Sequence, residues 1–299
     1  MLLAILFLLL ISFSVGAEGS FPVEVTDDLE RQIMIKQQPE RIISLAPSHT
    51  ETLFALDLEE RIVGVTDYAN YPQEAQEKAS VGSIREPNVE RIVELKPDLV
   101  LAAAVTPKTV VEKLTQLDIT VVGLAPNTVT EIIEDISLIG KLTGQVEEGR
   151  KLTVNLQKRK KEVGETVEEN VTSEEQPEVF YEVWKQPLRT AGSGTFIDNL
   201  IQLAGGVNIA HDAQQQWPQY SFEQLLADNP DVYLSTPHSW KSEVTVETIK
   251  QRENFQQLKA IEEERIYILS QDIVNRAGPR IIDALEKIAA ALHPKLFKN

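Results

Sequence analysis

Short apolar runs alternate with amphipathic stretches along most of this chain, and Gly, Pro, Asn and Asp punctuate the boundaries. VEVTDDLERQIMIK sets Val23 and Val25, then Ile33 and Ile35, on either side of an Asp-Asp turn, and predicts a hairpin. RIISLA (Arg41 to Ala46) reads as a short buried strand. PSHTETLFAL follows as a helix in which Ser48 and Glu51 have the spacing of a capping box. RIVGVT predicts the next strand, with DYANYP as the loop at its carboxyl end. ITVVGLA gives another strand and TEIIEDISLIGKLTG another amphipathic helix. Strands alternating with helices predict an α/β fold of mainly parallel sheets flanked by helices.

One unit of the pattern occurs twice, as NVERIVELKPDLVLAA (Asn88 to Ala103) and SFEQLLADNPDVYLST (Ser221 to Thr236). Each has a capping side chain, a Glu two positions on, an apolar helical run stopped by Pro97 or Pro230, and a strand. The copies lie too far apart for a solenoid, so they predict two related lobes. Between them, residues 145–175 are dense in Lys, Arg and Glu, with Leu152, Leu156, Val163 and Val167 on one helical face. That pattern suits a long helix lying across both lobes, or an ordinary surface helix. The expected organisation is a first lobe at 21–142, a connecting helix at 145–175 and a second lobe at 177–299.

The chain has 299 residues and a formal net charge of -17, which disfavours nucleic acid and anionic lipid as partners. It has no cysteine, hence no disulfide, thiol catalysis or thiolate metal site. The first residues, MLLAILFLLLISFSVGAEGS, have an apolar run short for a membrane span. Val15 and Ala17 sit where cleavage after Ala17 needs small residues. Residues 1–17 are therefore read as a signal peptide, with an uncleaved anchor as the alternative because the run has no Lys or Arg before it. Without a lipoprotein cysteine, the mature protein is expected free in a periplasm.

Catalytic motifs are absent. AGSGTF supplies Gly192 and Gly194 but has Ile197 where a dinucleotide fingerprint needs its third Gly, and there is neither a Walker A sequence nor a G-x-S-x-G elbow. His49, His211 and His238, all read as loop residues, lack metal-ligand spacing, and a metal site would need all three to converge. No enzyme and no cofactor are expected. The residues that invite function are rings in loops: Tyr68, Tyr71, Trp184, Trp217 and Trp240. In α/β proteins, loops at the carboxyl ends of strands hold ligands, and rings there suit a large apolar or flat one. Each ring also fits as a cover for its own lobe's core.

PERIISLAPSHTETLFALDLEERIVGVTDYANYP, PNVERIVELKPDLVLA, TAGSGTFIDNLIQLAGGVNIA, WPQYSFEQLLADNPDVYL and NRAGPRII together resemble the periplasmic substrate-binding proteins of cobalamin and ferric-siderophore ABC importers. The resemblance covers nearly the whole chain after the expected signal peptide, in order. It implies two α/β lobes joined by one rigid helix, a ligand in the cleft between them, and a monomer that delivers it to a permease dimer. DYANYP, WPQYSFEQ and DIVNRAGPRII look most like the cobalamin branch. That implies that Tyr68, Trp217, Asp272 and Arg276 touch a corrinoid, with Trp184 adding a ring, although Ile84 and Ala103 stand where that branch can have Trp. A ferric siderophore or haem is the alternative, with Arg189 and Arg276 pairing its anionic groups. Glu90 and Glu223 each take the second position of a helix. They complement a helix dipole, worth ~0.3–1 kcal/mol, or, as the resemblance implies, dock onto arginines of a two-fold permease.

Overall fold

The computed structural model describes residues 21–237 and 244–297, so the expected signal segment, His238 and Trp240 lie outside the described residues. β1 (Val23–Thr26) and β2 (Gln32–Ile35) form the expected hairpin. β3 (Ile42–Ser44), β4 (Ile62–Val65), β5 (Leu99–Ala103) and β6 (Val121–Leu124) make a parallel sheet in the order β4-β3-β5-β6. Its helices are α1 (Pro47–Ala55), α2 (Val89–Glu94) and α3 (Lys108–Gln116). Side chains alternate across the sheet. Ile42 and Leu99 enter one core, while Ile43 and Val100 enter the core on the other face.

The hairpin turn lies along the open edge of β6. Gly123 donates its N–H to the Asp27 carboxylate (2.9 Å), Asp28 donates its N–H to the Gly123 carbonyl (3.1 Å), and the Arg31 guanidinium donates to the Val121 carbonyl (2.9 Å). These bonds satisfy backbone groups that an exposed edge strand would offer to another chain.

Two helices then join the lobes. α4 (Val129–Thr143) and α5 (Val146–Asn170) pack against each other, and at their crossing Gly140 meets Gly149 so closely that a Cβ on Gly140 would lie 3.3 Å from the Gly149 Cα. α5 is shorter than the 145–175 span read from charge density, because Ser173–Glu175 forms a separate 3-10 turn. Leu156, Val163 and Val167 are buried as the stripe requires, and Leu152 packs against the cores of both lobes. α4 does the same along its length: Val129, Ile132 and Ile136 enter the C-terminal core, Ile139 and Leu142 the N-terminal one. Its apolar stripe is thus divided between the two cores.

In the C-terminal lobe β7 (Glu178–Lys185) is central. β8 (Leu188–Thr190) pairs with it antiparallel after a hairpin, and α6 (Phe196–Leu203), β9 (Val207–Asn208), α7 (Phe222–Asp228) and β10 (Val232–Ser235) follow. α8 (Val246–Lys250), α9 (Lys259–Glu262), β11 (Ile266–Ile268), α10 (Gln271–Val274) and α11 (Ile281–Leu292) complete it. The sheet order is β11-β10-β7-β8, with β9 beside the start of β7. Among the described residues no helix is long and apolar enough to cross a membrane.

Candidate functional site

The loops after β3, β4, β5 and β6 face the start of α6 and the α10–α11 segment across a cleft of about 500 Å³. The N-terminal wall carries Pro47, His49, Tyr68, Ala103 and Pro126, and the C-terminal wall Phe196, Asp272, Asn275 and Arg276. A crevice outside the carboxyl ends of parallel strands is where this class of fold places ligands, and most of this one is apolar, as ligand sites are.

Asp272 and Arg276 on the cleft wall belong to an ionic cluster that ties the lobes together. α1 has Ala46 as N-cap and receives no side-chain cap, so Ser48 and Glu51 do not form the expected capping box. Pro47 occupies the first turn, which places Glu51 one turn in, on a buried side. Its carboxylate accepts from Arg276 Nη1 at 2.7 Å, and from Arg280 Nη2 and Nε at 2.7 and 2.8 Å. Arg276, only 9% exposed, also donates to Asp272 Oδ1 at 2.7 Å. Asp272 in turn accepts from Asn70 Nδ2 at 2.9 Å, and Arg280 lies 3.9 Å over the Tyr71 ring. The segment between the two arginines passes close to α1. A Cβ on Gly278 would come within 3.1 Å of the Ser48 carbonyl oxygen, a tight contact that would push the two backbones apart by a few tenths of an ångström.

Tyr68 lines the cleft and is 41% exposed. Trp184 and Trp217 do not line it. Trp184 lies on strand β7, not in a loop, because the hairpin to β8 begins after Lys185, and its Nε1 donates to the Gln186 carbonyl. It pairs in register with Arg189, whose guanidinium donates to the Trp217 backbone carbonyl at 3.1 Å. Trp217 follows Gln216, whose side chain donates to Asn127 Oδ1 at 3.2 Å and thereby bridges the lobes at the edge of the cleft. Ile84 and Ala103 line the cleft and leave it wider than tryptophans there would.

His49 lies within α1 and is buried at the cleft, not in a loop. Burial lowers its pKa to about 4, against a smaller opposing effect of a hydrogen bond to the Leu101 backbone, so the ring is neutral near pH 7. His211 lines a different cavity and meets the buried Asp198 carboxylate at 3.0 Å. No group of three metal-capable side chains assembles among the described residues. Glu90 and Glu223 both stand at the second position of their helices, exposed, and neither has an ion pair among the described residues. Asn88 and Ser221 already cap those helices by accepting the Arg91 and Gln224 backbone N–H groups.

The sequence reasoning missed Glu51, Phe196, Asn275 and Gln216. Glu51 left one signal, an acidic residue on a helix otherwise turned inward. The others depend on how the lobes meet.

The family described as periplasmic binding protein matches residues 42–273. The chain is 31% identical over 284 residues to the uncharacterized ABC transporter substrate-binding lipoprotein YvrC of Bacillus subtilis, covering 93% of this chain and 88% of that one. It is 31% identical over 264 residues to the vitamin B12-binding protein of Vibrio cholerae, covering 85% and 89%. Among solved structures it resembles the periplasmic vitamin B12 binding protein BtuF of Vibrio cholerae with a TM-score of 0.75 at 30% identity, covering 87% of this chain and 99% of that one. It also resembles the periplasmic heme-binding protein RhuT of Roseiflexus sp. RS-1, with a TM-score of 0.76 at 25% identity over 86% of this chain and 99% of that one.

Proposed function

The chain belongs to the periplasmic binding protein family, and on that premise we propose that it captures a corrinoid outside the cytoplasm. It then delivers the corrinoid to an ABC importer, as a monomer and without chemistry of its own. The observation that carries this reading is the cleft: a largely apolar crevice between two lobes, with Tyr68 on one wall and the paired Asp272 and Arg276 on the other. Rings and aliphatic groups suit a macrocycle's faces, while the carboxylate and guanidinium suit peripheral amides. A corrinoid is larger than this cavity and extends past its mouth, towards the exposed Trp217 that follows the Gln216 bridge, with the exposed Trp184 as a further candidate ring. Vitamin B12-binding relatives at 31% identity support the ligand class.

Titration of the purified protein with cyanocobalamin, haemin, a ferric hydroxamate and zinc tests the reading. Cyanocobalamin binding at micromolar Kd or tighter is expected, and binding no tighter than millimolar refutes it. Preference for haemin or the hydroxamate selects the anionic-ligand alternative.

Delivery rests on Glu90 and Glu223. Their helices are capped without them, they project into solvent, and two carboxylates on one body engage a two-fold permease at high effective concentration. Glu90→Ala with Glu223→Ala is expected to preserve cyanocobalamin affinity and abolish most uptake by the cognate importer. Unchanged uptake returns both residues to a helix-dipole role.

A further inference from the structure

Arg276 stands on the cleft wall, yet its charge is already answered from behind. Glu51 does not line the cleft. It lines a separate cavity of about 710 Å³ on the other side of the cluster, together with Arg280 and Tyr71. Of the four charged groups joined here, Glu51 and Asp272 are carboxylates and Arg276 and Arg280 guanidiniums, so the cluster is neutral as a whole. His49, the remaining titratable side chain on the cleft wall besides Tyr68, is held neutral by burial.

We propose that Glu51 is a positioning and specificity residue: it fixes Arg276 at the cleft wall and cancels its charge, so that the cleft selects a neutral, amide-bearing ligand over an anionic one. The inference rests on the corrinoid reading above and adds the reason an arginine on the wall does not recruit carboxylates. A guanidinium held by two carboxylates keeps N–H groups for amide carbonyls but offers little net field to an anion. Burying Glu51 costs several kcal/mol unless it is paired. Its three short bonds to Arg276 and Arg280 satisfy that need and set the side-chain direction of both arginines. Asp272 alone would leave Arg276 free to turn towards a ligand carboxylate.

Charge arithmetic defines the test. Glu51→Gln makes the cluster more positive by one, Arg280→Gln more negative by one, and Glu51→Gln with Arg276→Gln restores neutrality. Affinities of the wild type and these variants are measured for cyanocobalamin and for the monocarboxylates made by hydrolysing one of its peripheral amides, each isomer separately. For the isomer whose carboxylate faces Arg276, Glu51→Gln is expected to improve binding relative to cyanocobalamin by about tenfold or more. Arg280→Gln shifts the ratio the other way, and the neutral double variant brings it back. The ratio is the informative quantity, because a purely structural loosening of the lobes changes both ligands by the same factor. Equal factors, or no change of ratio in any isomer, overturn the proposal. A wild type that binds no corrinoid refutes the ligand reading instead. The same variants are then measured against haemin, whose affinity must rise with Glu51→Gln and fall with Arg280→Gln. Binding of neither compound refutes both.

Discussion

Asp135→Asn offers a quantitative test of the electrostatics beside the cleft. Asp135 on α4 faces a recess of about 280 Å³ shared with Asp28, Glu131 and Glu134, directly below the Ala125–Asn127 loop. Burial pushes the Asp135 carboxyl up to about 8, and the charges of Asp28, Glu131 and Glu134 push in the same direction. The folded state therefore holds this proton more tightly than the unfolded chain, in which the carboxyl has its ordinary value of 3.8. Between about pH 4 and pH 8 folding takes up a proton, so stability falls as pH rises across that window and levels off above it. By pH 7.5 this loss amounts to ~5 kcal/mol, most of the whole effect, at 1.36 kcal/mol per pH unit. Asparagine imitates the protonated acid without the cost of keeping the proton. Urea unfolding of Asp135→Asn is thus expected to show a gain of about 2–5 kcal/mol at pH 7.5 and less than ~1 kcal/mol at pH 4. The same gain at both pH values, or none at pH 7.5, refutes the reasoning.

Asp27→Asn should release the hairpin from β6 at a cost of about 1–3 kcal/mol at pH 7. Burial raises the Asp27 carboxyl, but the Arg31 guanidinium and the Gly123 and Arg31 amides outweigh it and hold it below 3.8, so its contribution is present above that value and lost as pH falls through the lowered one; the variant's deficit should shrink in acid unfolding series. Arg159→Ala removes the clamp from α5 onto Asp283 and Glu286 of α11, and at 30% side-chain exposure should cost about 1–2 kcal/mol, less in high salt, by urea unfolding. Gly278→Ala sets a methyl group against the Ser48 carbonyl and should cost about 1–3 kcal/mol while weakening cyanocobalamin binding, read by calorimetry.

Much of the architecture was legible because it rests on local periodicity. The alternation of Ile42 with Ile43 and of Leu99 with Val100 marks strands buried on both faces. Asn88 and Ser221 cap the helices that their spacing predicts. What failed were inferences that need a partner from elsewhere. Ser48 and Glu51 have capping-box spacing, but Ala46 and Pro47 start the helix first, which carries Ser48 past the cap position. α4 has a regular apolar stripe, but nothing in its period says that two different cores divide it.

The three glutamates near helix starts show where sequence reading stops. Glu90 and Glu223 lie at second positions of capped helices and face solvent, with no ion pair among the described residues. Glu51 lies deeper in its helix and faces the other lobe, where its partners stand 225 and 229 positions along the chain. No window of local sequence contains that pairing. Residue type alone would assign Arg276 to an anionic ligand and Glu51 to a helix end. Only the close approach of the lobes, where Gly278 packs against Ser48, pairs them. The arginine thereby loses its net attraction for anions and keeps its geometry as a donor. In a cleft otherwise lined mostly by apolar residues such as Pro47, Ile84 and Phe196, with Tyr68, His49 and Asn275 among them, that geometry favours a large neutral ligand with amides at its rim.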